Sequence, residues 1–230
     1  MIAKGVFRQH DSMFGMQDPA QTLHQIERYV QEGRLELSEV MATQFCEMML
    51  ANKKRDAQQQ IFLLKGLRLM CDVYLLRDKA AQSMVTIKRM HGERKTLEKI
   101  LRKHAPDMLQ AMQPEHEDHL RAGRLYAAAG KARAASKAFG KCEKLAPGHL
   151  LAAVCAVETM ANKAHTERLL EAIQQAGDVI QANGQFQLEP KGSVPVLLDT
   201  VVATLQRCAT AQPGYICLLY TSDAADDTCC

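Results

Sequence analysis

The chain has no tryptophan, and aromatic residues make up only 5% of its 230 positions. Prolines number 7, and runs of β-branched residues are scarce before residue 190. Strands therefore have little to build on. No βαβ alternation and no glycine-rich phosphate loop is present, which argues against a doubly wound nucleotide fold. No C-x-x-C occurs among the 8 cysteines, so neither a zinc knuckle nor a dithiol redox motif is indicated. Cys46, Cys71, Cys142, Cys155 and Cys208 are far apart and lie mostly on apolar faces. They read as small core residues of a reducing compartment. The longest apolar run, Ile61–Leu76, is interrupted by Lys65, Arg68 and Asp72. It is too short and too charged for a membrane span and reads as a buried helix. No charged-then-apolar leader opens the chain, Met13 is a second candidate start, and cytoplasmic residence is the default expectation. No Ser/His/Asp, Cys/His or paired-carboxylate arrangement stands out, so no enzyme, cofactor or metal is expected.

What is abundant is alanine, leucine, methionine and glutamine, residues of helices packed through small and pliable side chains. The stretch His119–Pro147 is the most informative. Gly123 and Tyr126 share one face of a helix expected over about 115–129, where glycine permits close backbone approach and the ring fills the adjoining space. Gly130 suits a left-handed cap. A second helix is expected over about 132–145, with Ala135, Phe139 and Cys142 forming one apolar stripe, and Pro147 ends it. Aligning on tyrosine gives two fainter copies. Tyr29 is followed by Gly33, Ser38 and Ala42, and Tyr74 by Asp78, Ser83 and Ile87. The tyrosines lie 45 and 52 residues apart.

This pattern resembles the tetratricopeptide repeat, a helix–turn–helix unit of about 34 residues that stacks into solenoids. The resemblance is strong over about 116–149 and weak elsewhere, and it implies an all-α, TPR-like solenoid of antiparallel helix hairpins. It also implies a protein-interaction scaffold that holds another protein or peptide in the groove lined by the first helix of each repeat. In the third copy that surface would comprise Glu117, Leu120, Arg124, Ala127 and Ala128, while Gly123, Tyr126, Gly130, Ala135, Phe139 and Pro147 pack the repeat. The carboxylate clamp of chaperone-binding members needs asparagine and lysine where this chain has Arg124 and Leu120. The resemblance therefore points away from acidic chaperone C-termini and towards an apolar or extended peptide. A small secretion-type chaperone is a further possibility within the same family.

The remaining elements read as mostly helix. Asp18-Pro19 opens a helix to about Glu32. A second covers about 35–52, with Leu37, Val40, Met41, Phe45, Met48 and Met49 on its apolar side. Residues 53–60 are a linker or the solvated start of the next helix. Helices follow at about 79–91 and 93–112, with a break near Pro106, then at 150–162 and 165–182. Residues 183–193 read as loop and 194–208 as a last helix or buried strand. The expected organisation is an irregular segment at 1–17, a helical domain at 18–182, and a loop with a last helix at 183–216. The string at 217–227 resembles the translation of a sequencing adapter. This implies a non-native, disordered tail at 217–230 and a fragment whose true C-terminus is missing. The chain carries +3, and removing the three aspartates of that tail leaves +6.

Two charged constellations remain. His116 and His119 lie three apart and could face one metal, but no third ligand is identifiable. The alternative is a helix N-terminus whose dipole favours Glu115, Glu117 and Asp118. A basic run, Lys88, Arg89, Arg94, Lys95, Lys99, Arg102 and Lys103, is echoed by Lys131, Arg133, Lys137, Lys141 and Lys144. It could serve a helical-repeat nucleic-acid binder, although glutamates interleave it and no aromatic is placed for base stacking. A solvated helix face is the expected reading.

Overall fold

A computed structural model describes residues 18–112, 114–190 and 194–212. The expectations for 1–17 and for the tail at 217–230 lie outside the described residues. The fold is mostly helical: α1 (Pro19–Gln31), α2 (Leu35–Ala51), α3 (Ala57–Leu76), α4 (Met84–His104), the single turn α5 (Met108–Ala111), α6 (Glu115–Ala128), α7 (Ala132–Leu145), α8 (Leu150–Thr159), α9 (Lys163–Gln174) and α10 (Leu198–Ala211). A 3-10 turn, Ala80–Ser83, leads into α4.

The starts of α1 and α3 follow from local chemistry. The Asp18 carboxylate accepts from the Ala20 amide at 3.0 Å, with Pro19 in the first turn. Asp56 and Gln59 close a reciprocal capping box at α3. Residues 57–60 thus belong to the helix, and only 53–56 connect. Gly92 does not divide α4, which runs unbroken to His104, so the pair of helices expected at 79–91 and 93–112 is one long helix followed by a break at Ala105-Pro106. A single glycine costs a helix only about 1 kcal/mol, and Ile87, Met90, Leu97 and Leu101 bury fully on either side of it.

Successive helices touch along the chain: α1 with α2, α2 with α3, α3 with α4, α6 with α7, α7 with α8, and α8 with α9. Beyond these, α3 touches both α1 and α6, and α6 touches α8. One core runs through α1–α4 and reaches α6; a second joins α6, α7 and α8; a third joins α8, α9 and α10.

The tyrosine-anchored turns are alike in all three copies. Gly33, Asp78 and Gly130 all take positive φ, at 73°, 55° and 71°. The next amide in each case, Arg34, Lys79 or Lys131, donates to the carbonyl of Tyr29, Tyr74 or Tyr126 at 2.8 Å. This is the double-bonded left-handed cap. The small residues that follow, Ser38, Ser83 and Ala135, are fully buried, as are Ala42, Ile87 and Phe139 four positions on. The irregular 45- and 52-residue spacings arise because α3 and α4 are 20 and 21 residues long and α5 is interposed.

One departure from a purely helical chain lies after α9. Where a helix to Ala182 and a loop at 183–193 are expected, the helix stops at Gln174, and β1 (Ala176–Ala182) pairs antiparallel with β2 (Gln185–Pro190). Asn183 and Gly184, both at positive φ, make the two-residue turn, because that pair matches the right-handed strand twist. A two-residue β3 (Val196–Leu197) pairs with β2, and α10 supplies the last helix. On α2, Val40 and Met48 are 49% and 44% exposed, so its buried stripe is narrower than its apolar sequence face.

Candidate partner-binding groove

Helix α6 is the central element. Its residues at 118, 121 and 125 turn towards α3; those at 119, 122 and 126 face α4 and α7; those at 120, 124 and 127 face α8 and open space. A groove of about 430 Å³ opens on this last side. Its walls come from four helices: Leu75 on α3, Arg124 and Ala127 on α6, Phe139 on α7, and Cys155 and Glu158 on α8.

The sequence-predicted contact residues divide. Arg124 is exposed and Ala127 half-buried, and both line the groove. Ala128 is exposed beyond it, and Glu117 is half-buried one turn before Leu120. Leu120 is a correction. It is 9% exposed and packs with Ala135, Phe139, Cys142, Ala152 and Ala156, because α8 lies across that part of α6. It joins two hairpins and is not available to a ligand. Leu75, Cys155 and Glu158 were not foreseen as groove residues. Leu75 follows Tyr74 as Ala127 follows Tyr126, so the tyrosine alignment carried its signal. Helix α8 has no such tyrosine and gave none.

A Cβ at Gly123 would overlap the Phe139 ring, so the glycine is what lets α6 and α7 close. Ala135, Phe139 and Cys142 are fully buried. Tyr126 is half-buried, Gly130 makes the left-handed cap, and exposed Pro147 follows Ala146, whose extended φ of −137° ends α7. The same device recurs between hairpins: a Cβ on Gly66 of α3 would come within 2.7 Å of Phe45 on α2.

The groove is chemically quiet. Burial pushes the Cys155 thiol up to about 11, against the pull of Arg124. It therefore acts as apolar lining and not as a thiolate. Burial likewise raises Cys46 and Cys142, each to about 12. The Ser136 hydroxyl and His165 Nε2 come within 3.0 Å of each other, an arrangement invisible in sequence because it joins α7 to α9. Among the described residues His165 Nδ1, which is buried, has no hydrogen-bond partner.

The firmest polar structure lies behind the groove. Asp118 is fully buried, and Arg68 grips it through both oxygens at 2.7 and 2.8 Å. Arg94 donates to it at 2.9 Å, and Arg121 bridges it to Asp72, which it contacts at 2.6 Å. Burial pushes the Asp118 carboxyl up, but the hydrogen bonds and charges of Arg68 and Arg94 overcome this and hold it below its ordinary value. Arg94 is thereby removed from the solvated basic face to which its sequence neighbours assigned it. Lys88, Arg89, Lys95, Lys99, Arg102 and Lys103 do remain exposed.

His116 and His119 diverge: His119 lies against His91, with ring centroids 4.9 Å apart and planes tilted by 32°, and His116 meets His149 edge-on at 5.5 Å. Among the described residues no group of three or more His, Cys, Asp or Glu side chains is placed to hold a metal ion. Among them, too, no helix is long and apolar enough to cross a membrane. Comparison of the chain with protein-family models, with curated proteins and with solved structures returns no match.

Proposed function

We propose that the chain is a helical-repeat binding module of the tetratricopeptide kind, which holds an extended peptide or a helix of another protein in the groove beside α6. One observation carries this reading: α1, α3 and α6 end in the same tyrosine-anchored left-handed turn, and α3 touches both α1 and α6. Repetition of one turn geometry is what lets successive hairpins stack and line one continuous surface. The groove's apolar floor, with Arg124 and Glu158 at its margins, suits an occupant that buries a small apolar side chain and anchors its backbone or a polar group at the rim.

The test is selection of peptides from a random library on the full chain, followed by affinity measurement. Ala127→Phe should fill the groove and weaken the selected peptides by about tenfold or more, roughly 1.4 kcal/mol. Arg124→Glu should change which peptides are selected. Peptides that bind Ala127→Phe as well as the parent would place recognition elsewhere and overturn the reading.

A further inference from the structure

We propose that the pocket enclosed by α4, α6 and α7 is a binding site for a phosphate-class oxyanion, free or esterified. The pocket holds about 390 Å³ and lies on the face of α6 opposite the groove. Two basic side chains approach from α7, Lys137 and Lys141, one turn apart. Helix α4 contributes Lys95 and His91, also one turn apart, and α6 contributes His119 with Glu115. Each helix thus aims an i, i+4 pair into one cavity.

The cations of this pocket differ from the others that enclose α6. Arg94, at its edge, is committed to Asp118 and Glu98. Lys95, Lys137 and Lys141 make no ion pair among the described residues. Among the described residues that line the pocket, these three lysines outnumber one carboxylate, Glu115, which pairs with His119 Nε2 at 3.4 Å. Such a surplus in a partly enclosed cavity focuses positive potential and selects a compact anion with several acceptor oxygens. The adjoining imidazoles and the Tyr126 side chain offer polar hydrogens in addition.

The histidines give the site a signature. Burial holds His91 below its ordinary value, helped by His119 and Lys141 and opposed by Asp118 and Glu115. Burial does the same to His119, opposed by Glu115 and Asp118 and helped by Lys141. Both rings therefore favour the neutral form more than a free imidazole does. An oxyanion between them and Lys141 favours the imidazolium forms, so binding takes up protons and tightens as pH falls through the histidine range.

The experiment is calorimetric titration of the full chain with pyrophosphate at about pH 7 and with sulfate, an oxyanion whose own charge is constant, at about pH 6 and about pH 8, with imidazole NMR signals as the second readout. One saturable site is expected, tighter for sulfate at the lower pH, with the His91 and His119 signals moving. Lys137→Gln with Lys141→Gln, both exposed positions that should leave the helical spectrum unchanged, should weaken it by about tenfold or more. Glu115→Gln removes the competing carboxylate and should tighten it. A phosphoseryl peptide beside its unphosphorylated twin separates the sources: preference for the phosphorylated peptide assigns an esterified phosphate, and equal weakness of both assigns the free anion. Absence of saturable binding at millimolar pyrophosphate, a response matched by chloride at equal ionic strength, or indifference to the double lysine change would each overturn the proposal. Groove variants at Ala127 should leave this binding intact, so its failure is independent of the peptide-binding reading.

Discussion

Helix α6 is held by two unlike seams. Towards α7 the seam is apolar and close: Gly123 against the Phe139 ring, with Ala135 and Cys142 completing a dry stripe. Towards α3 and α4 it has an ionic centre beside buried Leu125: Asp118 sits between Arg68, Arg94 and Arg121 with no exposure to solvent. The first is paid for by burial of hydrocarbon and fails gradually as atoms are removed. The second balances a large desolvation cost against good geometry and fails abruptly when one partner goes. Fit to a neighbour can thus be reached by shape or by charge, and the two respond differently to mutation.

The largest effects should separate them. Asp118→Ala leaves buried guanidinium groups without their counter-charge and should cost about 3–5 kcal/mol. Phe139→Ala should cost a similar 3–5 kcal/mol through the cavity it opens. Urea denaturation measures both. The contrast sharpens in the rescue: changing Asp118, Arg68 and Arg94 together to leucine or methionine should recover most of the loss. If Asp118→Ala proved nearly neutral, the ionic seam would be ornamental and the contrast would collapse.

Next comes the close approach itself. Gly123→Ala places a methyl group in the Phe139 ring and should cost about 1–3 kcal/mol by overpacking, read from the same denaturation curves. The equivalent change at Gly66 meets Phe45 and Cys46 and should behave alike. A gain in stability at Gly123, as a glycine-to-alanine change gives in an open helix, would show that the seam has slack.

Acid should test the ionic side. Asp118 is held below its ordinary value, so its contribution is present above that value and is lost only as pH falls through the lowered one. The histidines act earlier. His91, His119, His149 and His165 are all depressed by burial. The native state then binds fewer protons than the unfolded chain, and stability should begin to fall as pH drops below about 6.5. His149 adds a structural reason, since its Nδ1 accepts from the Ala152 amide at 3.3 Å to cap α8, a bond that protonation removes. Glu143, raised by burial, works in the opposite sense. A thermal midpoint flat from pH 7.5 to 5 would contradict the histidine account.

The smallest expected effect is at the middle turn. Asp78 holds a conformation at φ 55° that glycine adopts freely at the two sister positions. Asp78→Gly should be neutral or stabilising by up to about 1 kcal/mol, and a clear loss would mean that its carboxylate does more than tolerate the turn.

These seams also show what the sequence could convey. The apolar seam was legible because its residues repeat with the period of a helix and lie within one hairpin; α7 covers the span read for it. The ionic seam was not, because Arg68 and Asp118 are 50 residues apart, and a charge on an apolar face reads as an interruption until its partner is seen. The three turns were visible as tyrosine followed by a turn-former, but their equality rests on backbone angles. The β-hairpin was missed although Asn183-Gly184 advertises it, since the alanine- and glutamine-rich flank before it favours a helix. For the groove, residues on α6 could be placed by period alone, whereas Leu120 required knowing that α8 crosses above it.

The position of α6 has one more consequence, in the language of amide exchange. It touches α3, α4, α7, α8 and the 3-10 turn at Ala80–Ser83, while α1 touches α2 and α3. An opening that frees the α6 amides must undo both seams at once, whereas α1 can detach while its neighbours stay folded. Backbone hydrogens of Leu120–Leu125 should therefore exchange only through the global transition, with those of α1 escaping by a lower, local route. The protein would carry its slowest clock in its middle.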